Sequence, residues 1–334
     1  MPNTTPAGDS PEWIRSLLSL RLQTRIAPCA CITAGRAGRE TADLEALAAA
    51  GALAFTDDGS YVADAAVMED AMERAARLGL PVMQHAVDPV LLGGGVVRDC
   101  RVAREHGLKT MPPEAETAAV ERDIALCRKT GCALHIQHVS CAGTVDLIRA
   151  AQREGLPVGG EASPHHLALC ADDIPGDDAN WKMAPPLGTA EDRAAVRAAV
   201  ADGTLALFAT DHAPHSAEAK SGGFARAANG IIGLETALAV TWEVMVLGCG
   251  MPAIDWAERW TCGPARLLGA EAPSLAPGAA ADFVLFDPHA DAEVRPETFF
   301  SKSRNTPFGG MRFAARPVMT VCGGRTTYES GDIR

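Results

Sequence analysis

The sequence predicts an α/β protein built as a (β/α)8 barrel of the TIM type, with a small β module at its carboxyl end. Six apolar runs that read as buried strands alternate with helical segments, a pattern that implies a mostly parallel sheet. Four of those runs end in a residue able to bind a metal: Asp58 after ALAFTD, His85 after LPVMQ, His138 after ALHIQ and Asp211 after LALFAT. In a closed parallel barrel the carboxyl ends of the strands meet at one mouth, so residues distant in sequence become neighbours there. From Pro277-Gly278 onward the character changes to short strands among turns.

Taken in order, the first helix starts at Ser10-Pro11-Glu12, a capping residue, a proline at the first helical position and an acid in the first turn. Trp13, Leu17 and Leu20 are its expected buried stripe. A strand near 25–33 follows, interrupted by Pro28, then a helix near 41–50 that stops at Gly51. The second strand, 52–56, runs into Asp57-Asp58-Gly59. Met68, Met72, Ala75 and Leu78 line the next helix, which Gly79 ends before the strand at 81–85. A long loop with Gly93–Gly95 and Pro112-Pro113 leads to a helix carrying Val120, Ile124 and Cys127 and ending at Gly131. The glycines lack the GxGxxG spacing of a nucleotide loop. Strand 133–138, helix 144–154, strand 156–162 and a helix opened by the capping-box pair Thr189 and Asp192 bring the chain to strand 204–210. Two helices, near 232–247 and 254–268, precede the expected β strands at 281–287 and 318–324. This divides the chain into a barrel over 1–270 and a β-rich module over 271–334. Eight strands complete such a barrel and six are visible, so the expected deficit is the first strand and most of the second.

Composition narrows the function. A net charge of -12 and a pI near 5.2 argue against a nucleic-acid surface. No apolar stretch reaches the roughly 18–20 residues of a membrane span, and the expected location is the cytoplasm. The ten cysteines form no CxxC pair and read as small core residues.

Neutral imidazole and carboxylate are zinc ligands, and a bound metal makes hydrolysis of an amide accessible. The segment ATDHAPH (209–215) crowds Asp211, His212 and His215 together, and a carboxylate there can shuttle a proton from water to a leaving nitrogen. His165 and His166 follow another strand, and facing the mouth or merely starting a helix are equal alternatives. Lys220, Gly222 and Gly223 lie in a polar loop that suits either a mobile lid or a solvated connection.

Ten segments together resemble the dihydroorotases of the amidohydrolase superfamily, in the branch where an aspartate bridges the metals. They are MPNT (1–4), AFTDDG (54–59), PVMQHA (81–86), PPEAE (112–116), HIQHVS (135–140), PPL (185–187), ATDHAPH (209–215), GIIGLET (230–236), ADFVLFDP (281–288) and SKSRNTPFGG (301–310). The resemblance implies Asp58 as bridging ligand, His85 and His138 as ligands of one zinc, Asp211 as ligand of another and proton shuttle, and Asn3 and His215 as substrate-binding residues. It implies zinc, one ion or two, a small-molecule substrate, and reversible cyclisation of N-carbamoyl-L-aspartate to dihydroorotate in pyrimidine biosynthesis. A homodimer and an association with aspartate carbamoyltransferase are the partners it suggests. Three departures stand against it. No His-x-His-x-Arg appears, so Met1 reads as an internal methionine and the chain as written is expected to turn over poorly. Ala184 and Gly188 replace an asparagine and an arginine of the family pattern, and Val87 stands where an acid is usual, with Asp88 following. The competing readings are a hydantoinase- or allantoinase-like cyclic amidase, which would show a lysine where this chain has Thr56-Asp57-Asp58, and a non-catalytic relative that scaffolds the transcarbamoylase.

Overall fold

The computed structural model describes residues 1–331. Its main sheet has six parallel strands whose spatial order follows chain order: β1 (Cys29–Ala30), β2 (Ala54–Phe55), β3 (Val82–Gln84), β4 (Leu134–Ile136), β5 (Val158–Ala162) and β6 (Leu207–Phe208). All six lie within the apolar runs, and β1 and β6 form the two edges. Parallel neighbours need crossover connections, and helices supply them. α1 (Pro11–Leu18) precedes β1, and α2 (Leu44–Ala50) and α3 (Ala65–Leu78) flank β2. α4 (Pro89–Leu92), α5 (Arg101–His106) and α6 (Glu114–Thr130) fill the long connection to β4. α7 (Ala142–Arg153) leads to β5, and α8 (Pro164–Ala168) and α9 (Ala190–Asp202) lead to β6.

The local signals act as expected at most helix ends. The Ser10 side chain accepts from the Trp13 amide, the Thr189–Asp192 capping box forms, and Gly51, Gly79 and Gly131 close their helices in the left-handed region. The face of α1 differs from its predicted stripe: Ile14 is fully buried, whereas Leu20 lies beyond the helix and is exposed. β1 is also shorter than the run at 25–33. Pro28 has no amide to donate, and Arg25 turns away to pair with Asp282 of the carboxyl-terminal region.

Beyond β6 come α10 (Gly223–Arg226), α11 (Ala237–Thr241), a π-helical stretch at Trp242–Gly248, α12 (Ala253–Trp260) and α13 (Cys262–Leu267). The helix expected near 232–247 starts late because Gly233 lies against Thr210, where a Cβ would sit 2.2 Å from the Thr210 carbonyl oxygen. The helix expected near 254–268 breaks at Thr261, whose φ of -123° and ψ of -77° leave the helical region. The carboxyl-terminal strands are β7 (Phe283–Asp287), β8 (Ala292–Glu293), β9 (Arg312–Phe313), β10 (Arg316–Cys322) and β11 (Arg325–Glu329). β7, β10 and β11 form an antiparallel sheet in the order β11-β10-β7, and β8 pairs with β9. Gly323 and Gly324, with φ of 58° and 75°, supply the two positive-φ positions of the tight β10–β11 turn. The last three residues of the expected module lie outside the described residues.

Phe55, Met68, Met72, Leu134, Ile136 and Ile148 bury the helices against the sheet, and Phe286 packs on Trp242 and Trp256 with ring centres 5.2 and 5.1 Å apart. Seven of the ten cysteines are buried, as read from their surroundings, while Cys249 is exposed and Cys262 and Cys322 are partly so. Among the described residues no helix is long and apolar enough to cross a membrane.

Candidate metal centre

The carboxyl ends of β2, β3 and β4 bring Asp58, His85 and His138 together, with one ligand atom from each lying within 4.8 Å of the others. The two aspartates after β2 have separate tasks. Asp57 is buried and accepts from the amides of Ile32 and Thr33 at 2.9 and 3.1 Å and from the Thr33 hydroxyl, tying β1 to β2. Asp58 faces the cluster, and Arg36 donates to its carbonyl oxygen. His85 follows β3 directly. His138 lies two residues beyond β4 with φ of 35°, and Asp211 three beyond β6 with φ of 47°. A non-glycine residue there costs on the order of 1–2 kcal/mol, so neighbouring structure must hold it. For His138 that support comes from Glu161 on β5. Its Oε1 accepts from the His138 amide at 3.3 Å, its carbonyl from the Val139 amide at 3.0 Å, and its Oε2 pairs with His135 Nε2 at 2.9 Å.

His85 Nδ1 lies 2.9 Å from His138 Nε2, and Asp58 Oδ1 lies 3.9 and 3.7 Å from those nitrogens. Ligand atoms on a tetrahedral zinc, bound at about 2.0–2.2 Å, sit roughly 3.3 Å apart, and the three separations bracket that value. His138 Nδ1 and His165 Nε2 are buried and make no hydrogen bond. A donor set of two imidazoles and a carboxylate, crowded to this spacing, fits a divalent cation.

The charges point the same way. Burial opposes ionisation of Asp58, but hydrogen bonding and charge from His138, with His85, bring it down to about 2. Burial, then the neighbouring His138, push His85 down to about 3. Burial also works against a charged His138, yet Asp58, Asp211 and Glu161 raise it to about 9. Asp211 is pushed up to about 7 by burial and by repulsion from Asp58 and Glu161, against the pull of His138. Without metal the centre therefore holds the ionised Asp58 and the neutral His85 beside one protonated ring, with Asp211 only partly ionised at neutral pH, and the free electron pairs are ones that a dication would use.

The remaining predicted residues separate. Asp211 lies outside the tight group of three but within reach of its field, and His165 Nε2 is 3.8 Å from its Oδ2. That places His165 toward the mouth, between the two alternatives its sequence position left open, since it also occupies the first turn of α8. Asn3 donates from Nδ2 to Asp58 Oδ2 at 3.1 Å. His215 stands apart, its ring nitrogen 2.7 Å from the Asn229 carbonyl and its amide bonded to Asn305 Oδ1. The loop with Lys220 is tied down: Lys220 Nζ donates to the carbonyls of Lys182, Ala228 and Gly230, and Phe224 is buried with its amide on Asp177. Gly188 is packed so closely that a Cβ would lie 2.5 Å from the Ser140 carbonyl oxygen. Sequence reasoning passed over Glu161, Asp57 and Asn305. A lone acid inside the apolar run LPVGGEA was the available signal for Glu161; the other two gave none.

A family model described as dihydro-orotase-like matches residues 1–143. The dihydroorotase of Bacillus caldolyticus is 42% identical over 335 residues, covering 99% of this chain and 78% of the relative, and that of Anaeromyxobacter sp. (strain K) is 45% identical over 99% and 77%. Among solved structures, the L-hydantoinase (dihydropyrimidinase) of Arthrobacter aurescens superposes with a TM-score of 0.86 at 24% identity, covering 100% of this chain and 77% of the other. A D-hydantoinase from Bacillus sp. AR9 gives 0.80 at 25%, covering 95% and 73%. The structural likeness shows the fold, a curled six-stranded α/β half-barrel, and the sequence identity gives the lineage. On that identity, sustained along nearly its whole length, the chain belongs to the dihydroorotase family of amidohydrolases.

Proposed function

We propose that this chain binds zinc through Asp58, His85 and His138 and catalyses the reversible cyclisation of N-carbamoyl-L-aspartate to dihydroorotate in the cytoplasm. The observation that carries the reading is the meeting of two imidazoles and a carboxylate at three strand ends, with a second carboxylate of near-neutral pKa beside them. Family membership supplies the substrate class. Asp58, His85 and His138 would hold the zinc, which when bound would supply Lewis-acid polarisation of the scissile carbonyl and a water of lowered pKa. The chain's own chemistry is proton traffic at Asp211. In ring opening, Asp211 takes a proton from the attacking water as oxygen bonds to the carbonyl carbon, and gives it to the ring nitrogen as the C–N bond breaks. In ring closure it takes the proton from the carbamoyl nitrogen and delivers it to the departing oxygen.

Asn3 and His215 bind the substrate's polar groups in this reading, exchanging Asp58 and Asn229 for the ligand. A pure scaffold has no use for a cluster whose members oppose one another's charge states, and Thr56-Asp57-Asp58 offers no lysine of the hydantoinase kind. The zinc-loaded chain should convert dihydroorotate to N-carbamoylaspartate, followed by chromatography, slowly for want of a His-x-His-x-Arg but still faster than it opens hydantoin or allantoin. Zinc bound with no dihydroorotate turnover, or a clear preference for hydantoin, rejects the assignment.

A further inference from the structure

His165 has no part in that reaction as written, although it lies beside the centre. It sits in the first turn of α8 just after Pro164, whose ring fixes the entry to the helix. Its side chain is buried against His166, the two rings tilted by 53° with centres 4.4 Å apart. His166 Nε2 pairs with the Pro185 carbonyl at 3.1 Å, whereas His165 Nε2 makes no hydrogen bond. Leaving a buried polar nitrogen without a partner costs about 1–3 kcal/mol.

The group it faces is equally bare. Among the described residues nothing donates a hydrogen bond to the Asp211 carboxylate, and His165 Nε2 stands 3.8 Å from its Oδ2. That is beyond hydrogen-bond reach by less than about 1 Å, and such contacts tighten when a site is loaded. Asp211 also has a left-handed backbone three residues beyond the two-residue strand β6, so no strand pairing fixes its side chain. The terminal torsion of an aspartate is broad and two-fold, and either oxygen could otherwise turn toward the reacting atoms.

We propose that His165 is a positioning residue for Asp211, donating Nε2–H to Oδ2 and so leaving Oδ1 to carry the proton between water and the ring nitrogen. The proposal rests on the hydrolase reading above for its consequence, though not for the contact itself. It assigns His165 an effect on the chemical step rather than on ground-state binding.

The contact is read by ¹⁵N NMR of the histidine rings in this 334-residue chain, with and without zinc. The His165 resonances, identified by their loss in His165→Gln, should show the Nε2–H tautomer, with Nε2 shifted by Asp211→Asn. The Nδ1–H tautomer, or indifference to Asp211→Asn, overturns the proposal whether or not dihydroorotate is turned over, so the contact and the assigned reaction fail separately. In the zinc-loaded enzyme, His165→Ala should lower kcat by about tenfold or more, the range of a misplaced acid–base group, with KM and zinc content little changed. His165→Gln, which keeps a side-chain donor, should restore most of that loss. A loss confined to KM, one that follows zinc content, or no recovery with glutamine also overturns it.

Discussion

At Asp211 the environment that suits proton transfer works against the fold. Its carboxyl is raised from an ordinary 3.8 to about 7, so the folded chain holds the proton more firmly than the unfolded one. The stability this supplies is complete below about pH 4 and lost as pH rises through 7. Asp211→Asn should therefore raise the Tm of the metal-free protein by several degrees at pH 8 and hardly at all at pH 4, while lowering kcat by roughly 100-fold or more. Differential scanning calorimetry at the two pH values checks the first part and steady-state kinetics the second. His138 is displaced the other way in charge: raised from 6.5 to about 9, it is protonated at neutral pH. A metal that takes its nitrogen must expel that proton, so zinc uptake at pH 7.5 should release about one proton, read by titration calorimetry in buffers of different ionisation enthalpy. Uptake with no proton release would contradict a ligand role for His138. Asp58, His85, His138 and Asp211 were legible because each ends an apolar run. Glu161 showed only as a lone acid in an apolar run, and Asn305 not at all, because their partners, the His138 amide and the Ala213 and Gly230 carbonyls, are set by tertiary contacts.

The elements followed the periodicity of the sequence wherever one face of a helix meets the sheet. They departed from it where backbone packing decides, at Pro28, at Gly233 and at Thr261. Gly188 belongs with these. The family pattern has arginine there, yet a side chain would strike the Ser140 carbonyl and the Asp192 side chain that caps α9. Gly188→Arg should therefore lower Tm by several degrees instead of improving turnover, since it disturbs both a close backbone approach and a helix cap worth about 1 kcal/mol. A gain in kcat with unchanged Tm would show that the loop can rearrange. The loop between β6 and α11 also differs from a free lid, because one ammonium group holds three of its neighbouring carbonyls. Lys220→Ala should make residues 216–230 measurably faster in amide exchange while leaving the six strands unaffected.

For the whole molecule, the thiols divide into two populations. Burial pushes Cys29 and Cys127 up to about 11 and Cys31, Cys132 and Cys141 up to about 12, so none of these supplies a thiolate near neutral pH. Brief treatment with iodoacetamide should label Cys249 first, then Cys262 and Cys322, and spare the seven buried residues, as peptide mass spectrometry would show. Labelling of Cys29 or Cys31 before Cys249 would mean that β1 opens readily. The contorted main chain at His138 and Asp211 has a bearing on ancestry. Glycine or asparagine would sit there more comfortably, so a descendant freed from its chemistry should lose these two positions early by drift. A lineage that keeps histidine and aspartate at both bends is still being chosen for what those side chains do.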